Sequence, residues 1–111
     1  MITMLKYGPW IGNNLEVKFV LGLIYFIITD DYGNFVHCVF SGNQAREFVK
    51  ILTDNESTEI LDRGDDLMRF QLFKDGSFGI SISSKKMTRS FAMTQQQTRE
   101  LIDWCQKIHN L

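Results

Sequence analysis

A shift of 53 residues lays the second half of this chain on the first without a gap. It brings Ser41 onto Thr94, Gln44 onto Gln97, Arg46 onto Arg99 and Glu47 onto Glu100. It also matches Phe48, Val49 and Leu52 with Leu101, Ile102 and Cys105. Upstream, Val17 and Phe19 fall on Phe70 and Leu72, and Tyr25 and Ile27 fall on Phe78 and Ile80. Two explanations stand. One is an internal duplication, with two strand-rich units, each ending in a helix, related by a pseudo-two-fold axis. The other is convergence, because Ser41-x-x-Gln44 and Thr94-x-x-Gln97 are both capping boxes that any well-made helix start can use. The strand matches lie beyond what capping explains.

The hydrophobic pattern alternates strands with helices. Leu15, Val17, Phe19 and Leu21 alternate with Glu16 and Lys18, the period of a half-buried strand. Strands Leu23–Thr29 and Phe35–Phe40 follow, separated by the turn residues Asp30-Asp31-Tyr32-Gly33-Asn34. From Ser41 the apolar residues Ala45, Phe48, Val49 and Leu52 share one face of a helix. The second half repeats the plan with Met68–Phe73, an Asp75-Gly76 hairpin signal, Phe78–Ile82, a turn through Ser84-Lys85-Lys86, and Arg89–Met93. A last helix opens at Thr94, with Thr98, Leu101, Ile102, Cys105 and Ile108 turned inward. Short strands at Ile2–Leu5 and Ser57–Leu61 would bring each unit to four.

The predicted fold is therefore α+β: antiparallel sheet with two helices, in tandem β-β-β-(β)-α units spanning about 1–53 and 54–111 of a single domain. A chain of 111 residues suits one domain. Its 44% hydrophobic content and single Pro exclude a disordered polymer.

The middle strand of the first unit is apolar on both faces. Ile24, Phe26 and Ile28 lie opposite Tyr25 and Ile27, whereas their equivalents under the shift are Ser77, Gly79 and Ser81. Such a strand is either covered on both sides within the fold or carries an interface. Val20, Ile24, Phe26, Ile28 and Val39 are the interface candidates, and they predict a homodimer.

No residue constellation names a reaction. His37 and His109 are far apart, Cys38 and Cys105 lack metal-ligand spacing, and no G-x-S-x-G elbow or Gly-rich phosphate loop is present. No catalytic residue, metal or cofactor is expected. Cys105, on an apolar helix face, reads as a small core residue. Trp10, within Gly8-Pro9-Trp10-Ile11-Gly12, reads as a recognition aromatic or as a lid over one end of the core. The longest apolar run, 19–28, is half a bilayer span. The start lacks a signal-peptide pattern, so a cytoplasmic protein without membrane association is expected. The functional expectation is a non-catalytic small binding module of adaptor, inhibitor or immunity type, self-associating and with a protein partner left open.

Charge supplies the alternative. The net charge is −1, yet residues 54–66 carry −5 and residues 67–89 carry +4. The stretch Arg69-Phe70-Gln71-Leu72-Phe73-Lys74-Asp75-Gly76, then Phe78-Gly79-Ile80-Ser81, then Met93-Thr94-x-x-Gln97, resembles the strand, hairpin, strand and capped helix of the Whirly and transcriptional-coactivator type of single-strand DNA-binding domain. The resemblance implies units of four strands with a basic sheet, on which bases stack on aromatic residues while cations follow the backbone. Lys18, Arg69, Lys74, Lys85, Lys86 and Arg89 are the residues it nominates for single-stranded nucleic acid.

Overall fold

The computed structural model describes residues 4–54, 59–61, 66–73 and 75–109. Each half forms a four-stranded antiparallel meander followed by a helix. The first contains β1 (Met4–Trp10), β2 (Asn13–Val20), β3 (Leu23–Thr29) and β4 (Phe35–Phe40), then α1 (Gly42–Asp54). The second contains β5 (Glu59–Leu61), β6 (Leu67–Leu72), β7 (Phe78–Ser84) and β8 (Met87–Met93), then α2 (Gln95–His109). The expected α+β class and the β-β-β-β-α units are both present.

Both helices start on the expected boxes. The Ser41 N–H donates to Gln44 Oε1 at 2.8 Å while the Gln44 N–H donates to Ser41 Oγ at 3.4 Å. The Thr94 N–H donates to Gln97 Oε1 at 3.0 Å and the Gln97 N–H to Thr94 Oγ1 at 3.1 Å. Each box satisfies donors that a helix start leaves orphaned. Behind the caps, Ala45, Phe48, Val49 and Ile51 of α1 and Thr98, Leu101, Trp104 and Cys105 of α2 are buried. The helices pack on each other and close the inner faces of the sheets into one core. Burial pushes the Cys105 thiol up to about 12, in keeping with a core role.

The inner face of the first sheet carries Leu15, Val17, Ile24, Phe26, Ile28, Val36, Cys38 and Phe40, all essentially inaccessible to solvent. This corrects the interface set. Ile24, Phe26 and Ile28 are core, and only Val20 and Val39 belong to the outer face. Tyr25 and Ile27, not their neighbours, point outward.

The reason is a register slip inside the internal match. Leu15 corresponds to Met68, and Cys38 and Phe40 to Phe91 and Met93, all at a shift of 53. The inner residues of β3, however, correspond to Phe78, Ile80 and Ile82 of β7, at a shift of 54. The turns explain it. Two residues (21–22) join β2 to β3 and five (30–34) join β3 to β4. In the second unit five residues (73–77) come first and two (85–86) second. The longer first turn is partly offset by shorter strands, leaving a net one-residue difference between matched inner residues (Leu15 to Ile28 against Met68 to Ile82). That difference reverses the faces of the third strand, and the next turn restores the frame.

Two of the tight turns break a local rule. Leu21-Gly22 and Ile11-Gly12 place both central residues at positive φ, the I′ pattern that favours Asn-Gly. Leu21 (φ 52) was expected in the strand and instead sits at the turn, 96% exposed.

Candidate nucleic-acid interface

Strand alternation in the second sheet sends Met68, Phe78, Ile80, Ile82, Phe91 and Met93 inward. Arg69, Gln71, Gly79, Ser81, Ser83, Thr88, Ser90 and Ala92 form the outer face. Leu67 shares this face, and apart from Leu67, Arg69 and Gln71 its residues are short. The Ser81 and Ser90 hydroxyls meet at 2.6 Å, and those of Ser83 and Thr88 at 2.9 Å, forming a ladder of hydroxyls along the β7–β8 hairpin.

Phe73 folds back over this floor. A Cβ on Gly79 would lie 3.0 Å from Phe73 Cε2 and 3.2 Å from its Cζ, so glycine lets the ring approach the sheet more closely than a larger residue would without the ring shifting. Trp10, from the end of β1, stands beside the edge strand β8 with its ring 6.3 Å from that of Phe91. The Asn13 side chain ties this corner down by donating to the Ser90 carbonyl at 2.9 Å. Trp10, Arg69, Gln71, Phe73 and the small floor residues enclose an open groove of about 490 Å³. Trp10 is thus both a partly buried lid and a groove wall.

A second groove, of about 550 Å³, lies at the tip of the same hairpin, between Phe35, His37, Ser84, Lys85, Lys86 and Met87. Phe35 is 58% exposed and its ring lies 6.3 Å from that of His37. Asp66 bridges two of these lining residues, accepting from the Ser84 hydroxyl at 2.9 Å and standing 3.8 Å from His37 Nε2. At about 3.3 Å per residue, Lys85 lies roughly 13 Å along the strand from Ser81.

The nominated cations divide three ways. Arg69 lines the first groove; Lys85 and Lys86 are exposed at the second. Lys18 is on the other sheet, 3.6 Å from Glu16. Arg89 is corrected from a phosphate-binding candidate to a structural cation: its Nη2 and Nε donate to Asp30 Oδ2 at 3.0 and 3.3 Å. That bond joins the two units across 59 residues of sequence. Lys74 lies outside the described residues. Among those residues, no group of three His, Cys, Asp or Glu side chains gathers to hold a metal. No described helix is long and apolar enough to cross a membrane.

Asp30 also accepts from the backbone N–H groups of Tyr32 and Asn34 at 2.9 and 3.0 Å. Its desolvation alone would raise the carboxyl pKa. The Arg89 hydrogen bond, the two backbone donors and the Arg89 charge together outweigh that and lower it. A lowered carboxylate contributes stability that is present above the ordinary carboxylate range and lost as pH falls through the lowered value. The thermal midpoint of Asp30→Asn should therefore be below that of the native chain at pH 7, with the two curves converging in acid. Parallel curves down to about pH 2 would show that the charge contributes nothing.

Compared with known proteins, the chain matches no family model and no curated protein sequence.

Proposed function

We propose that this protein is a non-catalytic module that binds single-stranded nucleic acid along the β7–β8 hairpin of its second sheet. The carrying observation is an open groove on the outer face of this hairpin, with Trp10 and Phe73 as walls and Arg69 in its lining. From it a hydroxyl ladder runs toward the hairpin tip, where Lys85 and Lys86 border a second groove with Phe35 that opens on the side of Ser84 and Met87. Aromatic faces accept any base by stacking, and cations beside them follow the phosphates, so this arrangement suits a single strand read with little sequence preference. The flat small-residue floor leaves room for a ring against Phe73 or Trp10. Four strands in each unit, as the Whirly-type resemblance requires, support the same reading.

The test is fluorescence anisotropy of a labelled oligothymidylate. Micromolar binding is expected near 50 mM salt. With three cations engaged (Arg69, Lys85 and Lys86), the logarithm of affinity should fall by about 2 per tenfold rise in salt. Absence of binding at that salt, or equal binding to a duplex, would overturn the proposal.

The other expectation, a protein-binding module, is favoured by one observation on the first sheet: its outer face, which borders the second groove through Phe35 and His37, is apolar along its centre.

A further inference from the structure

The two sheets share topology but not outer surfaces. Where the second presents Gly79, Ser81, Ser90 and Ala92, the first presents Leu23, Tyr25, Ile27 and Val39, each half-exposed. The topology does not require this difference, since the second sheet has the same strand order with short residues there. The register of the first sheet arranges its outer face in rows. Lys18, Tyr25 and Val39 form one row across β2, β3 and β4, and Glu16, Ile27 and His37 form the next.

We propose that this face is the interface of a homodimer, two copies packing sheet on sheet about a two-fold axis that runs between those rows. The face is complementary to itself in that arrangement. Lys18 falls opposite the partner's Glu16 and Glu16 opposite the partner's Lys18, while Tyr25 covers the partner's Ile27. An isologous contact of this kind makes every favourable pair twice. In the monomer, Lys18 and Glu16 hold each other at 3.6 Å with side chains 38% and 31% exposed, a geometry that contributes little. Pairing across the interface would remove both from water and add a second copy of the contact.

Size sets the expected strength. Seven-residue strands at about 3.3 Å per residue and four strands at about 4.8 Å spacing give a footprint of roughly 440 Å² per copy. A standard interface buries about 800 Å² per partner, so this dimer belongs at the weak end, in the micromolar range.

Sedimentation velocity across about 5–200 μM tests the idea. A monomer of 12.9 kDa should give way to a species of twice that mass as concentration rises. Lys18→Glu alone and Glu16→Lys alone each oppose like charges at two symmetric positions, and each should weaken dimerisation by at least roughly tenfold. The double variant Lys18→Glu/Glu16→Lys restores opposite charges across the axis and should recover the dimer. Tyr25→Asp should abolish it with the far-ultraviolet dichroism unchanged, because Tyr25 is outside the core. A monomer throughout the range, a dimer indifferent to the single charge changes, or a double variant no better than the singles would overturn the proposal. His37 belongs both to this face and to the second groove, so oligothymidylate binding is read on the monomeric Tyr25→Asp variant, whose substituted residue lines neither groove, and there it reports separately on that reading.

Discussion

Phe26→Ala should lower the free energy of unfolding by about 3–5 kcal/mol, the range for removing a buried aromatic ring. Phe26 is inaccessible to solvent and packs tilted against Phe40 at 5.1 Å and Phe48 at 5.0 Å, with Phe40 and Phe48 themselves 5.7 Å apart. This trio joins β3, β4 and α1, so truncating its central ring opens a cavity that three elements border. Domains of this kind hold about 5–15 kcal/mol in all, which leaves the variant close to its unfolding threshold. Phe26→Asp would bury an unpaired charge in the same place and should yield no folded protein. Urea unfolding followed by dichroism measures both. A loss below about 1 kcal/mol for the alanine variant would contradict the packing described.

The second large effect concerns the grooves. Base stacking on an aromatic side chain contributes about 1–3 kcal/mol, so Phe73→Ala should weaken oligothymidylate binding by roughly 5- to 150-fold. The ring lies on the surface of the second sheet and is 40% exposed, so its loss should leave the thermal midpoint nearly unchanged. Changing Lys85 and Lys86 together to Glu acts differently. It removes two of the three cations, and the salt dependence should flatten from about −2 to about −0.7. Stacking and charge thus give separable signatures, one in affinity at fixed salt and one in slope. Unchanged affinity in both variants would place any binding elsewhere on the molecule.

Much of the architecture was legible because it depends on local patterns. The helices could be read from cap to inner face, since a hydroxyl, an amide three residues on and a 3.6-residue period are all local. The first strand was read as Ile2–Leu5 but is described at Met4–Trp10. The Gly8-Pro9 pair reads as a strand breaker, and β1 tolerates it because it is an edge strand, where one face of the backbone needs no partner.

The faces of β3 were misassigned because a gapless match is blind to changes in turn length that cancel. The binding surface was half legible. Lys85 and Lys86 announce themselves as charges in a turn. Phe35 and Phe73 do not, since each lies at the end of a strand or just past it, where alternation no longer says which side is wet. Arg89 looked available because its partner, Asp30, sits 59 residues earlier, beyond the reach of any local pattern.

The exchanged turn lengths also constrain how this chain can change. A strand in a two-faced sheet behaves as a parity bit: one residue added on one side inverts it, and one removed on the other side returns every later strand to phase. A single-residue insertion in the 21–22 turn should therefore be far more damaging than the same insertion paired with a deletion in the 30–34 loop, provided that the paired change is read against a β3 sequence shifted to match. Drift in such a chain proceeds by coupled steps at two turns, with the strand between them free to exchange its inward and outward residues as a block. Two halves that diverged this way would remain alike at their helices and outer strands while disagreeing in the strand between the exchanged turns.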